Sequence, residues 1–137
     1  MGIVQTEITL KNIADNTLAR IGHIKPEDIR TETVTAVADT GSLFLVITEE
    51  LCQKLGLEIK EERKAHIANG EQVVCKITES VEVQWKDRCT TVPAMIIPGA
   101  KTILFGALPM EAMDLMVNPV AQEVVGVHGD SVEFYAL

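Results

Sequence analysis

Asp39-Thr40-Gly41-Ser42 is the stretch of this 137-residue chain whose residue types and spacing could do chemistry. It places a carboxylate in a Gly-containing turn between two apolar, β-forming runs, Val34–Ala38 and Leu43–Ile47. A carboxylate flanked by buried strands is costly unless it is hydrogen-bonded. The turn offers donors: the backbone N–H groups of Gly41 and Ser42 and the hydroxyls of Thr40 and Ser42. Such contacts would pin the carboxyl group and favour its charged form. The chemistry open to a carboxyl held this way is general acid–base work on water or on a substrate oxygen.

Other reactive side chains form no comparable constellation. Cys52, Cys75 and Cys89 lack a C-x-x-C pair and metal-like spacing, and read as reduced, mostly buried thiols. A nucleophilic cysteine would need a histidine partner, and His23, His66 and His128 are each isolated in the sequence. Asp15 and Asp28 read as turn carboxylates, and His128 with Asp130 as a hairpin turn. No metal or organic cofactor is implied.

The elements that must position the turn follow from pattern. Val4–Lys11 alternates as a half-buried strand, Asn12–Asn16 is turn-like, and Thr17–Ile24 returns as its hairpin partner. Pro26 punctuates, and Ile29–Ala38 runs into the Asp39 turn. Thr48 caps a short helix that starts on Glu49 and Glu50, carries Leu51 and Leu55 on one side and stops at Gly56. A charged strand over residues 57–67 then reaches Asn69-Gly70, the strongest short hairpin signal, which predicts a type I′ turn. Long strands follow on either side of Lys86-Asp87-Arg88, with Pro93 marking an edge or a bulge. Ile103–Gly106 is an apolar strand ending at glycine. A helix follows with Pro109 in its first turn and an apolar face through Leu108, Ala112 and Leu115. Met116–Pro119 breaks the chain, Gln122–Val127 is a strand, and Val132–Leu137 is the last strand.

Three elements, in order, resemble the retropepsin-like aspartic proteases: Asp39-Thr40-Gly41-Ser42, the Asn69-Gly70 hairpin, and Leu104-Phe105-Gly106 followed by a helix. The resemblance spans roughly Val34–Val127. It implies a mostly β, closed barrel-like fold with one or two short helices, and Asp39 as the catalytic residue. Thr40, Gly41 and Ser42 would build the active-site turn, Ser42 bonding the outer oxygen of Asp39. Ile67, Ala68, Asn69 and Gly70 would form a flap over bound peptide. Leu104, Phe105 and Gly106 would pack beside the catalytic loop. Retroviral enzymes commonly continue after this glycine with Arg-Asp or Arg-Asn, whereas this chain has Ala107-Leu108.

One Asp-Thr-Gly per chain supplies one carboxyl, and the chemistry needs two sharing a proton. The resemblance therefore implies a homodimer with Asp39 from each copy on the twofold axis. It would be an aspartic endopeptidase acting on peptide or protein, with side-chain pockets near Asp39, the flap and Ile96-Ile97. The alternative is a retropepsin-like dimerisation or peptide-binding module of weak or no activity.

Length and composition agree with a single domain over residues 1–137 with room for a core. The chain is 47% hydrophobic yet has no run of membrane-spanning length, and its first residues lack a secretory pattern. These features predict a cytoplasmic protein without a membrane partner. A net charge of −8, no basic stripe, one Trp and one Tyr argue against nucleic acid.

Overall fold

The computed structural model describes residues 3–133. The architecture is mostly β with three α-helices. The first strand, β1 (Gln5–Asn12), turns Ile8, Leu10 and Asn12 inward by its alternation. Asn12 ends the strand as a buried polar residue with both ends of its amide occupied. Its Nδ2 donates to the Leu55 carbonyl at 2.8 Å, and its Oδ1 accepts from Asp15 N at 3.0 Å. The second bond caps helix α1 (Ile13–Arg20). A 3₁₀ turn at Pro26–Asp28 leads to β2 (Thr31–Ala38), antiparallel to β1 with Ile8 opposite Val34.

Strand β3 (Leu45–Ile47) is buried throughout and runs into α2 (Glu49–Leu55). Thr48 Oγ1 accepts from Leu51 N at 3.1 Å, and Gly56 closes the helix at φ 63°. Next come β4 (Ile59–His66), β5 (Gln72–Trp85) and β6 (Arg88–Ile96), joined by tight turns. The register of β5 against β6 shifts between Ile77 and Ser80, opposite Pro93, so the proline sits at a bulge. The two-residue strand β7 (Leu104–Phe105) precedes α3 (Ala107–Ala112). Strands β8 (Leu115–Asn118) and β9 (Glu123–Gly126) form a separate hairpin.

The large sheet has seven strands in the order β1-β2-β7-β3-β6-β5-β4, and β1 also pairs with β5. That extra pairing joins the first strand of the sheet to its sixth, so six strands ring a core centred on Ile8, Leu10, Leu45, Ile47, Val81, Val83 and Phe105. Strand β4 stays outside the ring and is exposed along nearly all its length. Residues Gln72–Cys75 of β5 pair with β4 alone, so this end of the hairpin extends past β6 as a two-stranded arm.

Several expectations are overturned. Residues 13–20 form a helix rather than a returning strand, because the Asn12 cap and the Asp15–Arg30 pair outweigh local β preference. Asp15 is thus no turn carboxylate. It is buried and takes Arg30 Nε at 2.8 Å and Nη2 at 3.0 Å, which hold its carboxyl below the usual range. The apolar side of α3 is Pro109 and Met110, with Leu108 facing solvent and Leu115 already in β8. Residues 115–118 are a strand rather than a break, since Asn118 folds its own turn. The cysteines are mostly buried as expected, Cys52 and Cys75 inside and Cys89 exposed. Of the expected final strand, residues 134–137 lie outside the described residues, and Val132 and Glu133 are not in strand conformation.

Candidate active site

The Asp39 turn hangs between β2 and β3, and β7 is inserted between those two strands. Val37 and Ala38 run parallel to Leu104 and Phe105, while Val46 opposes Leu104 from the other side. Asp39 N donates to the Phe105 carbonyl at 3.0 Å, so the residue leaves the sheet with its backbone still paired. Ser42 N donates to the Asp39 carbonyl at 3.1 Å and closes the turn.

Gly106 lets α3 dock onto this loop. A Cβ at Gly106 would overlap the carbonyl oxygens of both Ser42 and Phe44. With only hydrogen there, Ala107 N reaches the Ser42 carbonyl at 2.8 Å and Leu108 N the Leu43 carbonyl at 2.9 Å. The first N–H groups of a helix have no partner within it. Here they find theirs in the loop, and two segments 65 residues apart in sequence become one backbone network.

The Asp39 carboxyl is half-buried, and its Oδ1 accepts from Gly41 N at 2.9 Å. A Cβ on Gly41 would stand 3.2 Å from that oxygen, closer than side chains ordinarily come. Ser42 does not contact the carboxyl. Its hydroxyl donates to the Phe44 carbonyl at 3.3 Å, because the turn directs it back along the loop. Thr40 and Gly41 are exposed at the tip.

An open hollow of about 250 Å³ borders Asp39 and Thr40. Its walls are Val37 and Ala38 of β2, Ile3 and Val4 of the N-terminal segment, and Val117, Pro119 and Gln122 of the β8–β9 hairpin. Among these nine residues only Asp39 carries a charge. The contribution of β8–β9 was missed by reading residues 116–119 as a break. The signal was present as Leu115–Asn118 and Glu123–Gly126, two short β-forming runs around a Pro-containing turn.

The remaining expected residues fall elsewhere. Ala68, Asn69 and Gly70 are exposed at the β4–β5 tip, Ile67 is half-buried, and none of them lines the hollow at Asp39. Only Gly70 has positive φ, at 86°, so the expected type I′ turn is not formed. Ile67 N donates to the Glu71 carbonyl at 3.0 Å across a three-residue loop, and Asn69 Oδ1 accepts from Glu71 N at 2.9 Å. Ile96 is a core residue that borders a different hollow, beside Cys52, Gln53 and Lys76. Burial pushes the Cys52 and Cys75 thiols up, away from the reactive thiolate.

His128 is not isolated. Its Nδ1 lies 2.7 Å from Asp114 Oδ2, which also accepts from Glu133 N at 3.0 Å. The pair raises the histidine above its ordinary value and lowers the aspartate below its own, the mutual hydrogen bond being the main cause in each case. Arg88 is buried alongside, donating through Nη1 to the carbonyls of Met113 and Asp114 and through Nη2 to that of Gly129. Asp114 immediately precedes β8 and His128 follows β9, so the pair closes the base of the hairpin whose far end borders Asp39.

Comparison with known proteins agrees with this architecture. The family model described as "Aspartyl protease" matches residues 26–123. Among solved structures, the retroviral protease-like domain of Ddi1 from Leishmania major superposes with a TM-score of 0.56 at 11% identity, covering 96% of this chain and 91% of that one. A retropepsin-like aspartic protease from Rickettsia conorii gives a TM-score of 0.46 at 14% identity, covering 86% of this chain and 89% of that one. No curated protein matches the chain at a significant level. With the family model covering most of the chain, the chain belongs to the aspartyl protease family, and its fold is that of a retroviral protease-like domain.

Proposed function

We propose that the protein is an aspartic endopeptidase that acts as a homodimer, with one Asp39 from each copy forming the catalytic pair. The observation that carries this reading is the state of the Asp39 turn. Its carboxyl is anchored through Oδ1 to Gly41 N, while Thr40 and Gly41 stand exposed where a second turn could meet them. In this reading the ring of strands serves as the closed barrel that holds the turn rigid.

The two carboxyls share one proton, since like charges in close proximity cannot both ionise readily. The ionised member draws a proton from water, and the water oxygen attacks the peptide carbonyl. The protonated member donates to the carbonyl oxygen. Roles then exchange as the leaving amine takes its proton. Thr40 of each copy braces the opposite turn, and Gly41 keeps the approach open. Substrate lies extended against the β4–β5 hairpin in β-addition fashion.

A binding module without activity is the rival, favoured by Ala107-Leu108 where retroviral enzymes carry a charged contact. The bonds from Ala107 N and Leu108 N to the loop carbonyls hold the turn without that side chain, which supports the enzyme reading.

The test is cleavage of an unbiased peptide library by wild type and Asp39→Asn, at several enzyme concentrations and from roughly pH 4 to 7. Asparagine keeps an oxygen for Gly41 N, so the fold should survive the change. Cleavage should fall by roughly 10²–10⁴-fold or more, and wild-type rate should rise faster than linearly with concentration. Residual cleavage close to wild type would exclude Asp39 as the catalytic group.

A further inference from the structure

The face that surrounds Asp39 is almost free of charged side chains. The chain carries a net charge of −8, so two copies repel unless they meet on an uncharged patch. The segment Leu115–Gln122 contains no charged residue, and its tip sits at the hollow whose other walls are equally uncharged apart from Asp39. Val120 at that tip is 94% exposed, more than any other large apolar side chain among the described residues. Ile3, which lines the same hollow, is 75% exposed.

The tip is also rigid. Asn118 Oδ1 accepts from both Val120 N, at 3.0 Å, and Ala121 N, at 3.1 Å. At the base, Val127 N donates to the Asp114 carbonyl at 2.8 Å, and the His128–Asp114 pair closes the hairpin. A protruding apolar side chain on a turn already held in place loses little conformational freedom on contact. Isolated apolar residues at the surface are ordinary. A rigid one beside a hollow whose one charged residue is Asp39, at the edge of a turn that in the proposed reading needs its own copy, is a docking feature.

We infer that the β8–β9 tip, Pro119–Gln122, is a principal contact between two copies of this chain, with Val120 buried against the partner beside the Asp39 turns. This rests on the homodimer of the proposed function and specifies which surface builds it. A partner of opposite charge is disfavoured, because the patch offers it no charge to pair beyond Asp39.

Sedimentation equilibrium of wild type, Val120→Asp and Ile21→Asp provides the test. Ile21, 55% exposed at the end of α1, is the control for adding a carboxylate to an exposed apolar site. Val120→Asp should weaken the dimer by roughly tenfold or more, while Ile21→Asp leaves it unchanged. Circular dichroism should show both variants folded. Amide exchange gives a readout that needs no variant: protection of Val120–Gln122 in wild type should rise with protein concentration. A dimer of unchanged strength in Val120→Asp, or a wild type that stays monomeric at every concentration, overturns the inference. A dimer weakened in Val120→Asp supports it whether or not peptide is cleaved, so a failure of catalysis is distinguishable from a failure of the interface.

Discussion

Two glycines mark the contrast between the Asp39 turn and the β4–β5 hairpin tip. At Gly106 a methyl group would strike two backbone carbonyls, and the N–H groups beyond it knit α3 to the turn. At Gly70 a methyl group would meet nothing, and the tip is held by its own short-range bonds. One region is rigid because three distant segments share a backbone network. The other is a local turn on an exposed arm, free to move without disturbing the core. In the proposed enzyme the first region would hold the carboxyl still and the second would move over the substrate.

The contrast can be broken by mutation. On the proposed mechanism the largest effect on activity is expected from Asp39→Asn, which would remove the proton-transferring group while preserving the acceptor for Gly41 N. On stability the largest effect is Gly106→Ala. Overpacking typically costs about 1–3 kcal/mol, and here the obstructing atoms are backbone, so a loss of about 3 kcal/mol is expected in urea unfolding. Activity should fall with it. Gly106→Ala unfolding at the same urea concentration as wild type would mean that α3 docks on the turn less closely than described.

The His128–Asp114 pair gives a smaller effect with a defined pH signature. His128 is raised from its ordinary 6.5, so its contribution is complete below that pH and is lost as pH climbs through the raised value. Asp114 is lowered from 3.8, so its contribution is complete above that pH and is lost as pH drops through the lowered value. The pair thus stabilises fully between pH 3.8 and 6.5. Glu133 also favours the histidinium, and Arg88 opposes it. The stability difference between wild type and His128→Asn should be widest in this window and narrow on both sides. A difference that stays flat from about pH 3 to about pH 9 would show that the bond contributes no linkage.

Gly70→Ala should have the smallest effect on stability. An alanine forced to positive φ costs roughly 1–2 kcal/mol, and on an exposed arm that cost should appear as faster amide exchange of residues 66–72 more than as a lower unfolding midpoint. Equal global losses from Gly70→Ala and Gly106→Ala would erase the distinction between the two regions.

Much of this was legible in the chain itself. Asp39-Thr40-Gly41 between apolar runs, Thr48 and Gly56 bounding α2, and Leu104-Phe105-Gly106 before α3 are local signals, set by turn chemistry, capping and alternation. The misreadings arise where particular side-chain hydrogen bonds, some local and some from partners remote in sequence, outweigh pattern. Residues 13–20 became helical because Asn12 and Arg30 supply a cap and an ion pair. Ser42 turned from Asp39 to Phe44, and His128 found Asp114 fourteen residues away. Residue types and spacing by themselves singled out the Asp39 turn and placed it between two strands, as the structure has it. Which groups hold that turn, which hairpin stands beside it and which face lacks charge were decided by the tertiary structure. Those properties arise only when segments far apart in sequence are packed against each other.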